Sequence, residues 1–345
     1  MLLLTVMTAA KASSDPLRIV TYNAELTRDG PGLLLRDIRS GRDAQVNAVI
    51  ALLKHLRPDI LALQNVDHDA GFATARALQT ALRKAGLPLV HLFAPAPNTG
   101  VPTGLDMNGD GRRGRADDAQ GFGLFRGEGG MLLLSRFPVQ TARAQDFSGL
   151  LWRDLPGARM PRVDGAPFPS AQAQAVQRLS SVGHWAVPVQ TPGGPLWVLA
   201  FHATPPVFDG PEDRNGLRNA DEIRFWHVYL DGVLGPAPAH RFILLGDANL
   251  DPARSEGRRA AIRALLDDPR LRALAPEGAQ GTATVDWSDI GLGAMRVSYV
   301  LPSADLRVID SGVFWPAPDD PMAQTAARAS RHRALWADIQ LPGTN

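Results

Sequence analysis

The chain has 345 residues, 45% of them hydrophobic and 21% charged, enough apolar material for a large core in one domain or two. With 36 Lys and Arg against 35 Asp and Glu, it carries no bulk positive field to hold a polyanion, so nucleic acid is not the default partner. No run reaches the ~20 apolar residues needed to span a bilayer, and the absence of cysteine removes any redox demand from the compartment.

The opening MLLLTVMTAAKASSD has an apolar stretch from Leu2 to Ala10 and then the small-x-small triplet Ala10-Lys11-Ala12. This pattern predicts a signal peptide over 1–12, although its usual positive start is missing, and hence a periplasmic or secreted protein. Residues 13–345 are expected to form one domain, because no linker composition or repeat divides them.

LRIVTYNAE (17–25) reads as a strand. Val46, Val49, Ile50, Leu53 and Leu56 recur at helical spacing, and RPDILALQN follows as a buried strand. A second helix is expected over 71–86 and a strand at LPLVHLF. Further strands are expected at 129–139, 182–190 and 195–203. An aromatic-rich helix (217–231) leads into the strand RFILLGDAN. A short helix (256–267) and strands at 295–303, 306–315 and 334–341 complete the chain. Helices lie between some strands and not others, which points to mixed sheets, two of them packed face to face with helices outside. The stretches 94–128 and 140–178 are long and rich in Gly, Pro and Arg, as functional or mobile loops are.

The predicted strands end in polar residues: Asn23 and Glu25, Asn65 after Gln64, His202 after VLAF, and Asp247 and Asn249 in FILLGDANLDP. His332 stands just before the last strand. Each end alone has an ordinary reading: Asn23 and GDANLDP as turns, His202 as a core histidine, His332 as a surface residue. Five such ends suggest a shared rim. Carboxylates, carboxamides and imidazoles are what phosphoester hydrolysis uses to activate water, neutralise charge and protonate a leaving group.

The segments TYNAE, PDILALQNV, GGMLLLSRFPV, AFHA, LLGDANLDP, MRVSYVLPS and SRHRALW, in this order, resemble the endonuclease/exonuclease/phosphatase superfamily from about Leu17 to Leu341. The resemblance implies a four-layer α/β sandwich and a phosphoesterase dependent on a divalent metal, Mg²⁺ or Mn²⁺. It implies Asn23 and Glu25 near the metal, His202 on the phosphate, Asp247 activating water, Asn249 orienting the phosphate and His332 stabilising the transition state. Three positions depart from the pattern. Asn65 replaces a metal-binding glutamate, Ser298 replaces the aspartate of Arg-x-Asp-Tyr, and Arg331 replaces that of Ser-Asp-His. The first loses a carboxylate that a Mg²⁺ site depends on, and the second removes a group expected to orient His332. Chemistry could persist if Asp67, or Asp69, supplied the missing carboxylate beside Glu25 and Asn65 and if Arg331 gripped phosphate as a fork.

A separate motif, DMNGDGRRGRAD, places Asp106, Asn108, Asp110, Gly111 and Asp117 at positions 1, 3, 5, 6 and 12 of a calcium loop. Arg112 takes the position that supplies a backbone carbonyl. The expectation is a structural Ca²⁺ clip, with a solvated acidic turn as the ordinary alternative. The sequence thus predicts a secreted hydrolase of a small or lipid-linked phosphoester. The alternatives are a calcium-stabilised binding protein without turnover and, third, a nuclease.

Overall fold

The structure, a computed structural model, describes residues 15–341, so the expected signal peptide at 1–12 lies outside the described residues. The first half runs β1 Leu17–Leu26, α1 Leu33–Ser40, α2 Ala44–Leu56, β2 Ile60–Val66, α3 Ala73–Lys84, β3 His91–Phe93, β4 Gly130–Ser135, β5 Gln145–Asp146, β6 Arg162–Val163, β7 Ala166–Pro167 and α4 Ala171–Val176. The second runs β8 Gly183–Thr191, β9 Gly194–His202, α5 Arg214–Leu230, β10 Phe242–Asp247, α6 Ala260–Leu266, β11 Val285–Trp287, β12 Gly293–Met295, β13 Ser298–Pro302, β14 Arg307–Val313, α7 Ala323–Ala329 and β15 Leu335–Gln340.

Two mixed sheets carry the architecture, one ordered β14-β15-β1-β2-β4-β3 and the other β13-β10-β9-β8-β5. Alternating strand residues sort themselves into layers. From β1 and β2, Val20, Tyr22, Ala24, Leu61 and Leu63 pack with residues of α1, α2, α3 and α7. Their neighbours Ile19, Ile60 and Ala62 turn inward to meet Val198, Ala200, Ile243, Leu245 and Val300 from the other sheet. That sheet's outer residues Leu199, Phe201, Phe242 and Leu244 bury Ile223, Phe225, Trp226 and Tyr229 of α5 and Ile262 and Leu265 of α6. The result is helix, sheet, sheet, helix, the expected four-layer sandwich.

The strongly patterned elements fall close to their expected places. LPLVHLF pairs only at His91–Phe93. Leu87 and Leu89 go into the core beside the helices, and Pro88 between them has no N–H to give a ladder. The run 295–303 divides: Met295 ends β12 in a small hairpin with β11, and Ser298 begins β13 in the large sheet.

The two long irregular stretches are held down by buried polar groups. Asn98 donates to the carbonyls of Ser148 and Ser180, 2.7 and 2.8 Å away, and accepts from Arg178. From α5, Arg218 reaches the carbonyls of Leu179, Gln120, Arg178 and Ser180 at 2.6–3.2 Å. One turn later, Glu222 accepts from the amide and hydroxyl of Ser181 and from the amide of Thr204. Backbone that pairs with no neighbouring strand is satisfied by these side chains instead.

Candidate functional site

The inward face of the sandwich ends in polar residues at one edge. Along β10, Ile243 and Leu245 point between the sheets, and the same alternation sends Asp247 there. On β9, His202 continues the row of Val198 and Ala200, and on β13, Ser298 continues that of Val300. From the opposite sheet, Asn23 follows Ile19 on β1, and Gln64 follows Ile60 and Ala62 on β2. Buried strands carry carboxylates and amides to their ends because those ends meet across the sandwich.

The meeting is direct. Asn23 Nδ2 donates to Asp247 Oδ2 across the two sheets at 2.8 Å and lies 3.4 Å from His332 Nε2. His332 Nδ1 is 3.5 Å from the same Asp247 oxygen but makes no hydrogen bond to it. The amide of Asn249 donates to Asp247 Oδ1 at 3.0 Å, and its side chain is anchored on the Ala203 carbonyl. Gly246 is required here: its φ is +145°, and a Cβ would lie 2.0 Å from the Phe201 carbonyl oxygen.

Three rim residues sit in left-handed backbone, Glu25 (φ 47°), Asn65 (φ 55°) and Asn249 (φ 50°), a conformation uncommon outside glycine. The pairing register shifts at Glu25 and again at Asn65. Bulges of this kind re-aim side chains. Asn65 thereby turns back and donates to Asn23 Oδ1 at 2.9 Å.

Burial depresses the basicity of both rim histidines. For His202 and His332 it pulls the pKa below the usual value near 6.5, against the opposing pull of Asp247. Burial therefore disfavours the protonated form of both rings. Their Nδ1 atoms, together with Ser298 Oγ, are buried and have no hydrogen-bond partner. Unpaired buried polar atoms are costly, and each calls for an explanation.

The residues proposed for the metal do not assemble as one. Glu25 is taken up by the neighbouring loop. Its Oε1 accepts from Arg331 Nε (3.0 Å) and Nη2 (2.7 Å), and its Oε2 from the Ser330 hydroxyl (2.9 Å) and the Arg331 amide (2.7 Å). Burial raises the Glu25 pKa, but the hydrogen bonds from Arg331 outweigh it and hold the carboxyl below its ordinary value. Asn65 offers an amide already engaged with Asn23. Asp67 turns to the amides of Arg28 (3.0 Å) and Gly129 (3.1 Å), with its pKa pushed up to about 6 by burial. Asp69 binds the first amides of α3, those of Ala73 and Thr74. Mg²⁺ depends on one or two available carboxylates, and a fixed guanidinium on Glu25 repels a cation. This donor set does not suit a hard divalent ion.

Arg331, expected on phosphate, is paired with Glu25 through its Nε and Nη2. Its Nη1 lies 3.4 Å from Asp289. Ser330, Asp289, Arg333 and Trp287 are rim residues that sequence reasoning misses. The Ser330 hydroxyl receives the His332 amide and shares its one proton between the Asn23 carbonyl and Glu25 Oε2, both 2.9 Å away and both on β1, which pins the loop to that strand. Arg333 gathers the carbonyls of Ser330, Arg331 and His332, and Trp287 stands edge-on to the His332 ring at 5.7 Å. The run SRHR is the available signal for Ser330 and Arg333; nothing local marks Asp289 or Trp287.

The 106–117 segment is a turn-rich loop. Asp106 accepts from the amides of Gly109 (2.6 Å) and Gly111 (2.8 Å), and Asp110 accepts from the amide of Arg112 at 2.8 Å. Asn108 donates to Asp117 at 2.6 Å, and Arg115 lies 3.9 Å from both Asp110 and Asp117. Among the described residues no group of three or more His, Asp or Glu side chains is placed to hold a metal ion, at the rim or in this loop. The expected convergence of Asp106, Asp110 and Asp117 is not formed, because amides, Asn108 and Arg115 compete for the same carboxylates.

The fold recurs in solved structures. An endonuclease/exonuclease/phosphatase from Beutenbergia cavernae superposes with a TM-score of 0.58 at 17% identity, over 96% of this chain and 72% of that one. A family protein from Leptotrichia buccalis gives 0.55 at 16%, over 94% and 99%. Sphingomyelinase C from Streptomyces griseocarneus gives 0.53 at 16%, also over 94% and 99%. At such identities the likeness is one of fold. No curated protein matches the chain. Among the described residues no helix is long and apolar enough to cross a membrane. The sequence matches the Endonuclease/Exonuclease/phosphatase family over residues 20–332, and the chain belongs to that family.

Proposed function

We propose that the protein hydrolyses a small or lipid-linked phosphoester at the rim built by Asn23, His202, Asp247, Asn249 and His332. The observation that carries this reading is the Asn23–Asp247 bond, 2.8 Å across the two sheets, with two buried histidines and the Asn249 amide beside it. Hydrolysis forms a bond from water oxygen to phosphorus and breaks the ester P–O bond. Asp247 takes a proton from the water, and the carboxyl so formed, directly or through solvent, returns it to the leaving oxygen, while the rim imidazoles hold the phosphoryl group by hydrogen bonds. The N–H groups of Asn23, Asn65 and the histidines stabilise the phosphoryl oxygens as charge builds on them. The test is turnover of a generic phosphodiester and a phosphomonoester by the purified protein. Release of alcohol or phosphate is the expected result, and inert behaviour toward both classes removes the proposal.

A second reading, binding without turnover, is favoured by one observation. Ser298 stands where the family pattern has an aspartate, and His332 Nδ1 is left without the partner that would fix its tautomer. A nuclease remains third, since a formal charge of +1 offers no general attraction for a polyanion. Secretion after removal of 1–12, with 13–345 as one unit, belongs to the same proposal; what supports it is the apolar start of the sequence and the shared core between the sheets.

Calcium at Asp106, Asn108, Asp110, Arg112 and Asp117 is proposed on the spacing of those residues, with Arg115 displaced to free Asp110 and Asp117. Loops of the extracellular kind bind at about 10⁻⁴–10⁻³ M. Calcium near ~1 mM would then add about 0.4–1.4 kcal/mol of stability, a rise of about 0.5–2 °C in melting temperature that a chelator removes. Asp106→Ala is expected to melt like the chelated protein. Identical melting curves with calcium and with chelator would dismiss the site.

A further inference from the structure

The three departures from the family pattern act in one electrical direction. Relative to a glutamate and two aspartates, Asn65 removes one negative charge, Ser298 removes another, and Arg331 replaces a negative charge by a positive one. That is a change of one, one and two, four charges in all, against the two that a divalent ion would bring.

The structure shows where the new charge is held. Arg331 lies on Glu25 through two of its side-chain nitrogens, and the carboxylate is itself fixed by Ser330 and the Arg331 amide. A guanidinium has five N–H bonds. Glu25 takes two and Asp289 is within reach of one, which leaves two for an anion. The Arg331 side chain is 49% exposed, so an arriving ligand can reach it. The next residue, His332, leaves its buried Nδ1 without a hydrogen-bond partner, as do His202 Nδ1 and Ser298 Oγ on the strands of the opposite sheet. An exposed guanidinium with two free N–H bonds can fork onto an anion, and a carboxylate saturated by arginine is a poor ligand for Mg²⁺.

We propose that the Arg331 guanidinium, seated on Glu25, is the resident cation of this site, so that phosphate binds there without a divalent metal. The proposal rests on the reading of the rim as a phosphoryl site, but not on turnover.

The experiment titrates the full chain with inorganic phosphate by calorimetry, first in chelator and then with Mg²⁺ or Mn²⁺. Wild type is expected to bind phosphate with the same affinity in both. Loss of hydrogen bonds to a charged group should weaken binding about 10- to 100-fold in Arg331→Gln. Arg331→Lys should fall between, because it keeps the charge and loses the fork. The paired variant Glu25→Gln/Arg331→Gln leaves no uncompensated charge, so it guards against simple misfolding, and it should lose phosphate equally. In Asn65→Glu/Arg331→Asp the carboxylates return, and phosphate binding should become dependent on Mn²⁺. Phosphate affinity in wild type that rises about tenfold or more with Mg²⁺ or Mn²⁺ overturns the inference, as does undiminished binding in Arg331→Gln. Metal-independent phosphate binding without turnover supports the inference while removing hydrolysis. Turnover that requires Mg²⁺ does the reverse.

Discussion

Asp247→Ala is expected to lower phosphoester turnover by a factor of about 10² or more, and His332→Ala to do the same, with the fold retained in both. Asp247 is fully buried at the end of β10, where its oxygens accept from Asn23 and from the Asn249 amide. Removing it takes away the proton acceptor and also frees Asn23 to turn. Asp247→Asn separates these effects: it keeps the shape and one acceptor oxygen but cannot take a proton, so it should be nearly as slow as the alanine variant. His332 is packed under Trp287 and anchored through its amide, so its loss leaves the loop attached by Ser330. Steady-state rates on the phosphodiester, with circular dichroism as the check on folding, decide the matter. Turnover within a few-fold of wild type in either variant would show that the chemistry lies elsewhere.

Arg218→Ala is expected to destabilise the fold by about 3–5 kcal/mol, more than any of the rim substitutions. Burial pulls the Arg218 pKa down to about 10, so the side chain is still charged at neutral pH. It satisfies four backbone carbonyls from two loops and neighbours the buried Glu222 on α5. Alanine would strand those carbonyls and leave Glu222 without a cation. A loss of this size corresponds to about 4–7 °C in melting temperature for a chain of this length, readable by thermal or urea unfolding. Glu222→Gln should cost less in the Arg218→Ala background than in wild type, because the charge it removes is already uncompensated there. A loss below about 1 kcal/mol for Arg218→Ala would mean that the loops hold themselves.

Legibility in the sequence followed periodicity. The strands around Leu61, Val198 and Leu244 are short unbroken apolar runs and the helix of Val46, Val49 and Leu53 repeats at helical spacing, so the type of element could be read, but not the layer each residue would face. The rim residues were legible as polar positions at strand ends or, for His332, just before a strand, and their roles came from the family resemblance. What was illegible depended on partners far away in sequence. Arg331 and Glu25 are 306 residues apart, and an arginine does not announce whether it will meet a substrate or a carboxylate. Arg218 reads as an ordinary helical residue until Gln120 and Leu179 are brought beside it. The small helix α7, Ala-rich and seven residues long, gives almost no amphipathic signal, although Ala326 and Ala329 pack into the core. Asp67 and Asp69 looked like spare ligands because a carboxylate that accepts backbone amides has the same letter as one that waits for a cation.

The rim is divided between the sheets: Asn23, Glu25, Asn65 and His332 stand on one side, His202, Asp247 and Asn249 on the other, and the Asn23–Asp247 bond crosses the gap. Below it the two sheets meet through apolar side chains such as Ile19, Ala62, Ala200 and Leu245, which resist separation but set lateral position only by shape. A ligand held by both halves would therefore act as a rivet at the open edge of two stacked plates. It would oppose sliding more than pulling apart, and the plates in turn would deliver the two halves of the site in register, so a slip of one sheet by a fraction of a residue would be felt first as weakened binding and only later as unfolding.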